Sequence, residues 1–435
     1  MVDLMVNEQR SGTAGKDVPA GYKLTEVGVI PEDWVVISID DCTTKVGSGK
    51  TPTGGASVYI DSGRPFVRSQ NVDWGRLDLA DVVHITDETH NTFSGSEIQQ
   101  DDVLLNITGA SIGRCAKADF RVIGGNVNQH VCIIRTEAKK LSPSLLVELI
   151  NSNYGQNQID SYQAGGNREG LNFSQVKNLK FAITPNSLEQ TEIVRTLNDI
   201  NAFTLALENL IAKKQAIKAA AMQQLLTGKT RLPQFALRKD GSAKRYKKSK
   251  LGETPEDWAV NNIGDLFSIT AGGDLRQSEF SNIQSEKHLY PIYSNAISHY
   301  GLYGYCQSYD YVGDYLTITA RGGIGHAVAR KGRFCAIGRL LVLSPKGDSN
   351  VKFYEGYINQ YLSFANESTG VPQLTAPQVA KYPVVSPCIE EQTAIATILS
   401  DMDKEIQTLQ QRLDKTRQLK QGMMQELLTG KTRLI

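Results

Sequence analysis

The sequence predicts an α/β (α+β) protein. Two mostly-β globular domains stand in tandem, each followed by a long α-helix, and the two helices pair as an antiparallel coiled coil about an internal pseudo-two-fold. Three observations predict this. The chain repeats its own blocks in order; the first part of each repeat alternates short β-type runs with turn residues; the last part changes to a heptad period.

The repeat is the strongest of the three. Residues 22–41 and 246–265 share ten of twenty positions, including all of PEDW at 31–34 and 255–258. Residues 183–232 and 385–434 align without gaps and share twenty of fifty, including Pro185/Pro387, EQT at 189–191 and 391–393, and LLTGKTRL at 225–232 and 427–434. Between these ends DDVLLNITGASIG (101–113) pairs with GDYLTITARGGIG (313–325), and Leu171 and Gln175-Val176 pair with Leu374 and Gln378-Val379. The offsets fall in order through 224, 212, 203 and 202, as expected of two copies of one unit with longer loops in the first. Copy one covers about 16–232 and copy two about 246–435.

Within each copy the first part carries β-type runs at 64–72, 102–108, 130–136, 314–320 and 339–345, separated by Gly, Asn and Thr turn signals. Helical patterns stand at 142–152 and 354–364. The second part has no Gly or Pro from 189 to 227. Its apolar seam is Ile193, Leu197, Ile200, Phe203, Leu207, Ile211 and Ile217 in copy one, and Ile395, Leu399, Met402, Ile406, Leu409 and Leu413 in copy two. These are the residues expected to pair the helices and to dock partners. Pro185 and Pro387 precede the helices, and Gly228 and Gly430 stand where C-caps belong.

The expected division is a flexible N-terminal tail at 1–20, a first domain at 21–186, a central helix at 187–228, a basic linker at 229–250, a second domain at 251–387 and a C-terminal helix at 388–435. The linker KTRLPQFALRKDGSAKRYKKSK is either a solvated connection or a strip that contacts phosphates or a partner.

Composition narrows the function. At 435 residues, 40% hydrophobic and 21% charged, the chain is globular, and its net charge of +1 selects no partner. No run approaches the roughly 18 apolar residues of a membrane span. The start of the chain lacks the pattern of a secretory signal. Six scattered cysteines without a C-x-x-C pair fit a reduced, cytoplasmic protein without structural zinc. The GKT triplets beginning at Gly49, Gly228 and Gly430 are not phosphate loops, because Thr44, Gln223 and Gln425 occupy the position that needs glycine. There is no H-E-x-x-H, no G-x-S-x-G, no G-x-G-x-x-G and no Pro-Pro pair, and the histidines have no ligand spacing. No catalytic residue and no metal site is expected.

Clusters of polar loop residues stand out instead. Copy one has Arg68, Ser69, Gln70 and Asn71; Thr108, Ser111 and Arg114; Asn126, Asn128 and Gln129; and Asn167 with Arg168. Copy two has Ser294 and Asn295, Tyr303 and Tyr305, and Arg321. Arg matches the O6/N7 edge of guanine and Asn or Gln the N6/N7 edge of adenine. Taken singly each fits an ordinary turn; the clusters carry the expectation of DNA contact.

In the order of these motifs the chain resembles the specificity subunit of type I restriction–modification systems. The matching residues are IPEDW/TPEDW (30–34; 254–258), GSGKTP and TAGGD (47–52; 270–274), DVLLNITGASIG, the P-x-x-x-EQ-x-x-I junctions (185–193; 387–395) and the LLTGKTRL helix ends. The resemblance implies two target-recognition domains that each read one half of an asymmetric bipartite double-stranded DNA target. It implies paired spacer helices that set the gap and dock two methyltransferase subunits, with two restriction subunits joining them. It implies that S-adenosylmethionine, ATP and Mg2+ belong to those partners, which carry N6-adenine methylation and ATP-driven cleavage, and that this chain binds no cofactor and is not catalytic by itself. Two other readings stay open at this point. One is a coiled-coil scaffold whose paired domains bind protein or glycan; the other is a self-contained DNA-modifying enzyme with unrecognised motifs.

Overall fold

A computed structural model describes residues 18–163, 170–364 and 373–435. The chain divides into two compact units, one of residues 1–207 with 412–435 and one of 208–411. Each unit therefore contains one β-rich domain, the N-terminal half of the helix that follows it, and the C-terminal half of the other helix.

In the first unit an antiparallel four-stranded sheet has the order Thr43–Ser48, Val131–Thr136, Val103–Asn106, Cys115–Lys117. The central strands are apolar on both faces, as burial on two sides requires. A three-stranded sheet follows, Val83–Ile85, Arg64–Val67, Asn126–Val127, whose last pair is parallel. In the second unit the same path is one seven-stranded sheet: Phe267–Ala271, Leu341–Pro345, Tyr311–Ile318, Ala327–Ala336, Tyr290–Tyr293, Leu302–Cys306, Phe280–Ser281. The long strand Ala327–Ala336 spans what the first unit splits into Cys115–Lys117 and Asn126–Val127. Residues 118–125 bulge out between those two pieces, and part of the drift in repeat offset originates there. The helices Pro143–Asn151 and Val351–Tyr361 occupy the two predicted positions. The side chains of Asn151 and Asn359 bond both backbone groups of their neighbouring strands at Cys115 and Ala327, at 2.8–3.2 Å.

The long helices are Ser187–Leu225 and Ile389–Leu427, 39 residues each. At ~1.5 Å per residue each is about 58 Å long. Ile193, Leu197, Ile200, Leu207, Ile211, Ile395, Leu399 and Leu413 are buried, and Met402, Ile406 and Leu409 are half-buried. Two expected seam residues are not there: Phe203 and Ile217 are exposed. The stripe keeps its steps of four and three through the half-buried Thr204, Lys214 and Lys218 instead. Within the second unit Lys214 pairs with Glu405 at 2.7 Å and Lys218 with Asp403. Within the first, Arg412 lies over Phe203, and Met424 and Leu427 share a core with Ile193 and Leu197. In both units, residue numbers rise along one helix as they fall along the other, so the halves pair antiparallel.

Each helix end is locked by the same clasp. In the second unit Arg231 holds Asp257 of the PEDW turn (2.8 and 3.0 Å) and Glu391 of the EQT turn (2.7 and 2.8 Å), and lies 5.5 Å from the centre of the Trp258 ring. In the first, Arg433 holds Asp33 (2.9 and 2.8 Å) and Glu189 (2.5 and 2.9 Å) beside Trp34. A planar guanidinium can fork to two carboxylates at once, which a lysine cannot. Gly228 and Gly430, both at φ 69°, let the chain turn into the clasp. A Cβ there would stand 2.5 Å from Pro255 or Pro31. The stretch read as a linker is structured: it holds the short helix Pro233–Ala236 and the strand Tyr246–Ser249, which pairs with Gly252–Pro255.

Candidate nucleic-acid interface

In both units three loops converge at one side of the β domain. In the first unit they are the segment after Val67, the Gly-containing loop 107–114, and Asn128–His130. Buried Asn106 ties two of them, its Nδ2 donating to Ser69 O (2.8 Å), Ser111 Oγ (3.1 Å) and Val72 O (3.3 Å). Thr108 Oγ1 meets His130 Nδ1 at 2.5 Å and joins the third. In the second unit Asn295 makes the equivalent tie. Its Oδ1 accepts from Ala320 N at 2.7 Å and its Nδ2 donates to Gly338 O at 2.6 Å. The bridges Thr108–Gly170 and Arg321–Gln373 are counterparts, as are the bonds from Leu171 N to Ile107 O and from Leu374 N to Ala320 O.

The predicted site residues separate into two groups on this frame. Arg68, Asn71, Asn126 and Asn128 are turned inward. Arg68 donates to Asp81 O at 2.9 Å and pairs with the Asp81 carboxylate. Buried Asn71 bonds Arg68 N, Asp78 O and Asp81. Buried Asn126 bonds His90 at 2.7 Å and Ser96 at 3.0 Å, and Asn128 accepts from His130 N. These side chains build the loops. Arg114 pairs with Asp73 at 3.5 Å and Gln70 with Asp81. Ser69, Thr108 and Ser111 are half-buried at the surface, and Gln129 is exposed. Ser294 and Tyr305 are half-buried; Tyr303 and Arg321 are exposed, Arg321 donating to Gln373 Oε1 at 3.2 Å. Asn167 and Arg168 lie outside the described residues.

Sequence patterns do not single out Asn106, His299, Tyr300 or Arg339. Only backbone conformation distinguishes the last three: all have positive φ, at 49°, 54° and 68°. Elsewhere in the first unit a cavity of about 700 Å³ is lined by Trp74, Glu148, Tyr154, Lys420 and Met424. Burial pushes the Glu148 carboxyl above its ordinary value, with Lys420 and an Asn201 hydrogen bond opposing. Among the described residues no group of three or more His, Cys, Asp or Glu could hold a metal ion, and no helix is long and apolar enough to cross a membrane.

Paired domains that present polar loops from a common frame, each joined to a long helix, define a tandem recognition protein. The profile described as the type I restriction modification DNA specificity domain matches residues 31–219 and 255–417, and the chain belongs to that family. It is similar to the type I restriction enzyme MjaVIII specificity subunit of Methanocaldococcus jannaschii, 23% identical over 93% of this chain and 94% of the relative. It is also similar to the EcoBI specificity subunit of Escherichia coli, 28% identical over 47% of this chain and 44% of that one. Its fold matches the type I restriction–modification S subunit from M. genitalium with a TM-score of 0.58 at 14% identity, over 93% of this chain and 98% of that one. The chain is thus a specificity subunit of a type I restriction–modification system, not one of its catalytic chains.

Proposed function

We propose that each β domain reads one half of an asymmetric, bipartite double-stranded DNA target. The paired helices set the gap between the halves and dock two methyltransferase subunits, and two restriction subunits join that complex in the cytoplasm. S-adenosylmethionine, ATP and Mg2+ serve those partners. The observation that carries this reading is the shared three-loop frame with different residues on it: Thr108, Ser111 and Gln129 in one domain, Arg321 and Arg339 in the other. A common frame gives a common mode of contact, and different side chains give two different half-sites. Docking is supported by Leu210 and Ile217 of the first helix, seven apart in the second unit and left exposed outside its buried seam. That spacing suits a further helix. The test is methylome sequencing of a host with this chain and its methyltransferase partner. A two-part methylated motif that vanishes when this chain is deleted supports the reading; a motif that survives deletion refutes it.

A further inference from the structure

The segment Ser294–Gly301 of the second unit has a tip that its residues do not favour. His299 (φ 49°, ψ 33°) and Tyr300 (φ 54°, ψ 28°) both lie in the left-handed region, where an L residue crowds its own carbonyl. Such pairs persist only where the surroundings over-determine them. Here the support comes from below. Arg330, 7% exposed, donates from Nη2 to the Tyr300 carbonyl at 2.6 Å and from Nε to Thr317 Oγ1 at 3.1 Å, with its guanidinium 3.7 Å from the centre of the Tyr293 ring. Ser294 N closes the base of the loop on Gly301 O at 2.8 Å. Ile297 packs where Gly323 has no side chain; a Cβ there would collide with its Cδ1. Tyr300 as a whole remains 72% exposed. Asn295, in the same segment, bonds the backbone next to Arg321 and next to Arg339, both exposed arginines.

We propose that Tyr300 is a wedge for DNA. With Arg321 and Arg339 contacting the same half-site, its ring enters between two of that half-site's base pairs and unstacks the step. The inference rests on the DNA reading proposed above. Minor-groove proteins kink duplexes with such side chains. A ring held on a braced backbone has little freedom left to lose on insertion. The ring carries no base code of its own, so it adds affinity and sensitivity to step deformability rather than a new specified base.

The test uses the full chain in complex with its methyltransferase subunits and a duplex of its methylated target, with 2-aminopurine at successive positions of the second half-site. Wild type should raise fluorescence at one step. Tyr300→Gly, which suits the backbone and so preserves the loop, and Tyr300→Ala should abolish that rise and weaken target binding about 5- to 150-fold, the loss of one stacked base. Tyr300→Phe should retain both. No rise at any position with wild type, or an unchanged rise and affinity with Tyr300→Gly, overturns the wedge while leaving target reading intact. Equal binding of the target and an unrelated duplex overturns target reading and the wedge together.

Discussion

Removing Arg231 should open the second unit and leave the first alone. Its guanidinium is 7% exposed and Glu391 is 1% exposed, so Arg231→Ala strands a carboxylate that water cannot reach. Its remaining donor is Trp258 Nε1, at 2.9 Å. Breaking a buried pair from one side costs about 3–5 kcal/mol, which lowers hydrogen-exchange protection by roughly 10²- to 10⁴-fold if the unit opens as one. The assay is exchange followed by mass spectrometry, comparing 246–262 with 22–38. The fall should be confined to 246–262. Arg231→Lys, which keeps the charge but not the fork, should lie between. The counterpart Arg433 is 35% exposed, so solvent can replace it at Glu189 and Arg433→Ala should cost less, this time in 22–38. A pH arm follows. Burial acts to raise Asp257, but hydrogen bonds from Arg231 and Lys244 outweigh it and hold the carboxyl at about 2. A depressed folded value stabilises above the ordinary 3.8 and is lost as pH falls towards 2. Arg231→Ala should therefore move acid unfolding of this unit to higher pH. Unchanged protection at 246–262, or an equal fall in both segments, would refute the clasp as a unit-local lock.

Other perturbations separate scaffold from reader. Gly228→Ala should destabilise by at least about 1–2 kcal/mol from the left-handed backbone alone, with the Pro255 contact adding to it; a neutral melting temperature would contradict that. Arg68→Ala should lower stability and leave the methylated motif as it was, because its partner is Asp81. Arg321→Ala should cost about 1–3 kcal/mol of target affinity and relax one motif position, and an equal loss on every sequence would make it a phosphate contact only. Glu148 has a raised folded value, so its native state favours the neutral acid: its contribution is fullest below the ordinary 4.5 and is lost as pH rises through the raised value. Glu148→Gln should thus raise the melting temperature at pH 7 and converge with wild type near pH 4; a gap that widens on acidification would contradict this.

The duplication is legible in the sequence because the identical residues are those the clasps need: PEDW, EQT and LLTGKTRL supply Asp33, Glu189 and Arg433 and their counterparts. Which copy each clasp joins is not legible. Arg231 could equally have met Asp33, and identical motifs carry no label. A purely apolar heptad puts Ile217 on the seam; Lys214 and Lys218 hold it because Glu405 and Asp403 neutralise them, a pairing between helices that spacing along one helix cannot reveal. In the loops, residue type alone points Arg and Asn towards DNA. Arg68 and Asn71 instead bond backbone groups and the Asp81 carboxylate, and Asn126 bonds His90 and Ser96; Asp78 and Asp81, just downstream, are the available hint for the first two. Tyr300 has no sequence signal, since its distinction is a backbone angle.

The central claim is that the two domains read separate halves of one target. The most direct measurement replaces residues 42–180 with the corresponding domain of a relative, expresses the chimera with the methyltransferase partner, and sequences the methylome. One half of the methylated motif should change, with the other half and the gap preserved. A motif altered in both halves, or in neither, would contradict the account.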